Sequence, residues 1–242
     1  VISHLVHASS DYKHPYMVSR PVDKVGYIVI TSDRGLAGGL NINLFKALSK
    51  SIQQYQDQSV QAEFAVIGAK GVSFFKNFGG KVTSAVTDYG DKPTFEQLNA
   101  PVQAMLEDYS NGKLDRIYVV YNQFVNAMTQ KPIVNQLVPL PEGSFGDEEN
   151  GIQTELSWDY IYEPDIKTLI DELLGRYIES IVYQAVMENI ASEQSSRMVA
   201  MKAATDNAGD LINDLQLVYN KLRQAAITRE ISEIVGGAAA VS

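Results

Sequence analysis

Few stretches of this chain carry residue types at a spacing that could do chemistry. The first is Ser32–Asn41 (SDRGLAGGLN), which lies between an apolar run and an amphipathic one. A glycine-rich loop in that position can aim backbone N–H groups at a phosphate on a helix N-terminus. Here Gly35, Gly38 and Gly39 match neither G-x-G-x-x-G nor G-x-x-x-x-G-K-[ST], and no lysine stands at the helix entrance. A tight turn needing positive φ, with Asp33 and Arg34 pairing locally, accounts for the same residues more simply. His4 and His7 stand three apart and could share a metal through one helical face. No neighbouring carboxylate completes such a site, and His14 is the only other histidine. Asp147, Glu148 and Glu149 lack the alternating ligand spacing of a calcium loop. The chain has no G-x-S-x-G, no H-E-x-x-H and no separated Ser/His/Asp set in a helpful context. Catalytic, cofactor-binding and metal-ligating residues are therefore all expected to be absent. Charged groups late in the chain (Arg223, Arg229, Glu230, Glu233) read as a solvated face unless a partner encloses them.

The elements that would position these groups follow from hydrophobic periodicity. Val25–Thr31 (VGYIVIT) is a buried strand, β-branched and apolar. A helix is expected from about Ile42 to Tyr55, a strand over Ala62–Gly68, a short helix over Gly71–Phe78 and a weaker strand over Lys81–Val86. Thr94–Tyr109 reads as a helix capped by Thr94 with Gln97 three residues on. Arg116–Phe124 and Val134–Leu140 read as two more strands. Strands alternating with helices imply βαβ units and a mainly parallel sheet. Pro141–Glu155, rich in glycine and acid without periodicity, reads as a loop. Val1 to about Ser10 reads as the end of a longer helix.

From Pro164 onward the pattern is one uninterrupted helix, at least to Val235. Ile166, Ile170, Leu173, Tyr177, Ile181 and Ala185 form one apolar row, with Leu174, Ile178, Val182 and Val186 beside it. That wide stripe suits a helix packed on more than one neighbour. Later the stripe narrows to Ala208, Leu211, Leu215, Val218, Leu222 and Ala225, in steps of three and four, which is a coiled-coil seam. Roughly 70 helical residues at 1.5 Å each span about 105 Å. A compact domain built from the rest would be about 40 Å across. The seam is thus expected to project beyond its own domain and to need a partner helix.

Composition bounds the rest. The chain has 242 residues, 45% of them hydrophobic and 20% charged, with a net charge of −9. Such an acidic balance argues against sequence-independent nucleic-acid binding, which rests on clustered Lys and Arg. With no cysteine there can be no disulfide, thiolate metal site or cysteine nucleophile. No apolar run of about 18 or more residues is present to span a membrane.

Four stretches carry a resemblance. TSDRGLAGGLN, SWDYIYEPD, SRMVAMKAATDNA and LVYNKLRQAAITREISEIVGGAAA together resemble the gamma subunit of bacterial F-type ATP synthase. The resemblance implies a Rossmann-like α/β domain over 21–163 and a long C-terminal coiled-coil helix over 164–242. That helix would be paired antiparallel with an N-terminal helix whose end and connector occupy 1–20. It implies no cofactor and no active site in this chain, but a central rotary shaft inside a hexamer of alpha and beta subunits. The expected further partners are the epsilon subunit and the c-subunit ring, at the cytoplasmic face of the bacterial inner membrane, with membrane association only through the complex. By the same resemblance Arg197, Gln224, Thr228, Glu230 and Glu233 would contact the alpha/beta hexamer, and Tyr160, Tyr162 and Glu163 the epsilon subunit and c ring. It also implies that the helix runs through Gly236–Gly237, which would ordinarily read as a helix stop. From the residues alone, two alternatives stand beside the shaft: a nucleotide-binding α/β protein and a homodimeric coiled-coil scaffold.

Overall fold

The computed structural model describes residues 14–141 and 166–241. The histidine pair His4/His7, the acidic stretch Asp147–Glu149 and the expected contact residues Tyr160, Tyr162 and Glu163 lie outside the described residues. The chain divides into two compact units, Val1–Arg197 and Met198–Ser242.

The first unit is built on five strands, β1 (Lys24–Ile30), β2 (Gln61–Ile67), β3 (Lys81–Val86), β4 (Arg116–Asn126) and β5 (Thr129–Val138). Their order in the sheet is β3-β2-β1-β4-β5. The pairs β1·β2, β1·β4 and β2·β3 are parallel, with Tyr27 opposite both Phe64 and Tyr118. Only β5 runs antiparallel, as a hairpin with β4. The mainly parallel sheet is as the sequence implies. The last strand begins five residues earlier than expected, because a turn closed by Asn126 replaces a longer loop. Asn126 Oδ1 accepts the amides of Met128 at 2.9 Å and Thr129 at 2.8 Å.

Both sheet faces are covered, which is why β1 is apolar at nearly every position. On one face lie α1 (Leu40–Gln56) and α2 (Ala69–Phe78). There Leu44, Leu48, Ile52 and Phe75 pack against Val25, Tyr27, Val29, Phe64 and Val66. On the other lie α3 (Phe95–Ser110) and the start of α4 (Ile166–Val241). Leu98, Val102, Met105 and Tyr109 of α3 join Ile178, Val182, Val186 and Ile190 of α4 against Ile28, Ile30, Ile117 and Val119. The wide stripe expected on the long helix is therefore a true core face, with Leu174, Ile178 and Val186 fully buried. At the start of α3, Gln97 Oε1 accepts the amide of Thr94 at 3.0 Å, closing the expected capping box.

Gly68, between β2 and α2, has φ +108° and lies against Thr31 so closely that a Cβ would stand 2.2 Å from the Thr31 carbonyl oxygen. This is a tight strand-to-helix turn that only glycine fits.

In the second unit helical structure continues through Gly236–Gly237 to Val241. Every residue from Met201 to Ala239 is exposed.

Candidate interaction surfaces

The Ser32–Asn41 loop is not an anion cradle. Its polar groups satisfy one another: Asn41 accepts the Ser32 amide at 3.2 Å and donates to Ser32 Oγ at 2.7 Å, while Ser32 Oγ donates to the Arg34 carbonyl at 2.8 Å. What the loop turns toward α4 is carbonyl oxygen. Ser196 Oγ donates to the Ala37 carbonyl at 2.7 Å, and the Arg197 guanidinium donates to the Gly35 carbonyl at 3.3 and 3.4 Å. Acceptors in that position repel a phosphate. The tight turn is real, with positive φ at Leu36 (63°) and Gly38 (56°). Asp33 and Arg34, however, do not pair with each other. Asp33 accepts backbone amides of Ala69 and Tyr89, and Arg34 reaches Asp91 at 3.8 Å. Helix termini and their unsatisfied amides attract Asp33 more strongly than an exposed guanidinium does.

Open α/β sheets take ligands at the carboxyl ends of their strands, where the strand order reverses. In this sheet that point lies between β1 and β4. Beside it, between the segments that follow β1 and β3 and the Glu193 side chain, lies a recess of about 190 Å³ lined by Asp33, Arg34, Asp88, Tyr89, Gly90, Asp91 and Glu193. Four carboxylates against one guanidinium make it hostile to a nucleotide. The Tyr89 hydroxyl, donating to the Thr31 carbonyl at 2.7 Å, is raised well above its ordinary pKa, first by burial and then by the charges of Glu193, Asp33 and Asp91. A larger open cleft of about 990 Å³ lies at the opposite, amino end of the strands, lined in part by Arg20, Lys50, Tyr55, Arg116 and Tyr118. Its floor is a tyrosine–arginine network in which Arg116 Nε is buried without a partner. Tyr55 and Tyr118 hydroxyls meet at 2.6 Å and Arg116 donates to Tyr55 at 3.3 Å. Among the described residues no group of acidic or histidine side chains could hold a metal ion. No described helix is long and apolar enough to cross a membrane.

Of the hexamer-contact residues expected from the sequence, Arg197 stands apart from the others. Its side chain is only 19% exposed, held by Glu193, Gln194 and the Gly35 carbonyl. Gln224, Thr228, Glu230 and Glu233 lie in the second unit and are all open to solvent. Arg229 and Glu233 pair there at 3.0 Å, an exposed i, i+4 contact of the kind that contributes a few tenths of a kcal/mol.

The seam of the second unit is uncovered. Leu211, Leu215, Val218 and Leu222 are 54–65% exposed. It also ends sharply, which sequence reading missed. Beyond Ala225 the same line of the helix passes to Arg229 and Glu233. Ile227, Ile231 and Ile234 recur in steps of four and three instead, and Ile227 is turned about 200° from Ala225 at 3.6 residues per turn. One helix therefore carries two apolar stripes on nearly opposite sides, one before and one after Ala225. Plotting each stripe separately would have shown the change.

A profile of the family described as ATP synthase matches residues 1–241. The ATP synthase gamma chain of Psychrobacter arcticus is 94% identical over 242 residues, spanning the whole of this chain and 83% of that protein. This chain belongs to the ATP synthase gamma chain family. The gamma chain of Acinetobacter baumannii is 65% identical over 241 residues, again with all of this chain and 82% of the relative covered. Among solved structures, a chain of the Euglena gracilis mitochondrial ATP synthase, from its OSCP/F1/c-ring assembly, superposes with a TM-score of 0.67 at 23% identity. It covers 99% of this chain and 85% of its own. The fold is thus shared at low sequence identity.

Proposed function

We propose that this gamma-family chain is the central rotary shaft of a proton-translocating ATP synthase. It couples rotation of a membrane c ring to the conformational states of three beta-subunit catalytic sites. The observation that carries the reading is the uncovered seam from Ala208 to Ala225 on a helix that starts in the core of an α/β domain. The occupant of that seam is an antiparallel helix of the same subunit, as the family resemblance implies. The Ile227–Ile234 stripe and the small apolar residues beyond Gly237 then meet the inner wall of the alpha/beta hexamer.

An asymmetric rod touches three identical beta subunits differently at any instant, so each orientation shifts their open and closed populations by different amounts. Gln224, Thr228, Glu230 and Glu233 supply hydrogen bonds that form in one orientation and are lost in the next. Each bond to a charged group contributes about 1.5–3 kcal/mol, enough to bias a subunit without locking the rotor. Arg197 acts beside them by holding the loop that carries the exposed Leu36. Tyr160, Tyr162 and Glu163, by their match to the family, meet the epsilon subunit and the c ring at the cytoplasmic face of the membrane. The chemistry belongs to the beta subunits, and this chain holds no cofactor.

The test is single-molecule rotation and ATP turnover of the assembled complex carrying Gln224→Leu. Assembly should be intact and turnover several-fold lower, while trimming Ala239–Ser242 has a smaller effect. Normal turnover in the point variant, with turnover abolished by the trim, would reverse the assignment.

A further inference from the structure

The face that α4 turns to the sheet changes character along its length. From Ile170 to Val186 it is apolar, with Leu174, Ile178, Val182 and Val186 set into the core. From Asn189 onward it becomes polar and stays buried or half-buried. Asn189, Ser192, Glu193, Ser196 and Arg197 stand at i, i+3, i+4, i+7 and i+8, so they form one stripe. Asn189 and Ser192 are fully buried and Glu193 is 7% exposed.

Every member of the stripe makes at least one bond, and Asn189 Nδ2 alone among its side-chain atoms is buried without a partner. Asn189 Oδ1 accepts both the amide and the side-chain Nδ2 of Asn122 on β4, at 3.2 and 3.0 Å. Ser192 Oγ donates to the Asn122 carbonyl at 2.9 Å. Ser196 and Arg197 donate to the Ala37 and Gly35 carbonyls, with Glu193 fixing the guanidinium. On the rim, Gln194 Nε2 donates to Asp91 Oδ1 at 3.1 Å. These partners stand at the carboxyl ends of β1 and β4, so the helix fills the crevice that related sheets leave open for a ligand.

Apolar contact is non-directional and resists rotation of a helix about its own axis only through side-chain interdigitation. Hydrogen bonds fix distance and angle, and a buried polar group that loses its partner is penalised for lost solvation as well. A polar stripe here is therefore costly unless the angular setting of the helix matters.

We infer that Asn189, Ser192, Ser196 and the Glu193–Arg197 pair, closed on Asn122 and on the Gly35 and Ala37 carbonyls, form a rotational clamp. It fixes the axial rotation of the 189–197 stretch of α4 on the sheet, and it stays closed throughout the working cycle. These are positioning residues. The inference rests on the shaft reading above, in which torque passes between the domain and the continuing helix.

The chain has no cysteine, so a cysteine pair can be placed on a clean background. Asp91→Cys with Gln194→Cys, both at exposed positions of the rim, are joined by a short reducible bis-thiosulfonate in the assembled, membrane-bound complex. ATP hydrolysis and ATP-driven ion pumping should match the reduced sample to within twofold. If cross-linking stops turnover and reduction restores it, the contact opens during the cycle and the clamp is overturned.

The second arm weakens the clamp. In Asn189→Ala/Ser196→Ala, ions pumped per ATP hydrolysed should fall at least threefold, and Ser196→Thr alone should keep the parent ratio. An unchanged ratio in the double variant would also overturn the clamp. Failure of the parent chain to assemble into any ATP-hydrolysing complex would instead sink the shaft reading, so the two failures are separable.

Discussion

Asp33 accepts the backbone amide of Ala69 at 2.9 Å, placing a carboxylate on the first residue of helix α2. The helix cap itself is Gly68, which has no side chain to offer, so the loop after β1 supplies the missing acceptor. The second oxygen takes the Tyr89 amide at 3.1 Å. A negative group at a helix N-terminus is favoured by the exposed amides and the helix dipole. Asp33→Ala should therefore lower the stability of the 242-residue chain by about 2 kcal/mol, and Asp33→Asn by about half of that. Urea unfolding of the three proteins checks this. Equal midpoints for Asp33→Ala and the parent would show that neither amide depends on it.

Gly68→Ala should be more damaging than any cap variant. The new Cβ meets the Thr31 carbonyl, and φ of +108° is strained for an alanine whatever the space. Backbone strain and forced displacement together cost about 3 kcal/mol or more. Gly79→Ala is the contrast: its φ is +80° but nothing lies within 4 Å, so only the backbone term applies. Thermal unfolding should rank Gly68→Ala well below Gly79→Ala, and the opposite order would mean that the loop yields easily.

These two positions also show where sequence reading stops. Local signals were enough for β1, whose apolar run is buried on both faces, and for the α4 core stripe, whose 3.6-residue period is unbroken. They were enough for Thr94 and Gln97, because a capping box spans only four consecutive residues. They failed for Asp33, whose partners lie 36 and 56 residues ahead, and for Arg197, whose acceptor at Gly35 is 162 residues back. A charged residue in a helix looks solvated until its tertiary partner is known. The start of β5 was missed because Asn126-Ala-Met-Thr129 carries no glycine or proline, and Asn126 makes the turn through its own side chain.

His14 should respond to acid. Burial outweighs the attraction of Asp171, 3.3 Å away on α4, and holds the imidazole below its ordinary value of 6.5. The folded state then binds this proton less readily than the unfolded chain does. Its contribution to stability is fully present above about pH 6.5 and is lost as pH falls through the lower folded value. Stability measured from pH 7.5 down to 5 should decline more steeply in the parent than in His14→Gln. An imidazole titration by NMR with a midpoint above 6.5 would contradict the burial argument.

The seam makes the most demanding prediction, because the same substitution should behave differently in two settings. In the 242-residue chain Leu215 and Leu222 are 59% and 65% exposed. Changing both to Asp alters groups already in water, and surface changes of that kind usually move stability by less than about 0.5 kcal/mol. In an assembled complex whose gamma chain carries the antiparallel helix of the same subunit, the same two carboxylates would be driven into an apolar interface. That should cost several kcal/mol and shift the unfolding of the shaft to lower temperature. Leu217 supplies the control: it is 69% exposed but turned about 200° from Leu215 at 3.6 residues per turn, off the seam. Leu217→Asp should be far milder in the complex than the seam pair. Calorimetry of the chain alone and of the assembled complex, each with both sets of changes, decides the matter. If the complex tolerates Leu215→Asp/Leu222→Asp as well as it tolerates Leu217→Asp, no helix lies on that face and the pairing is wrong.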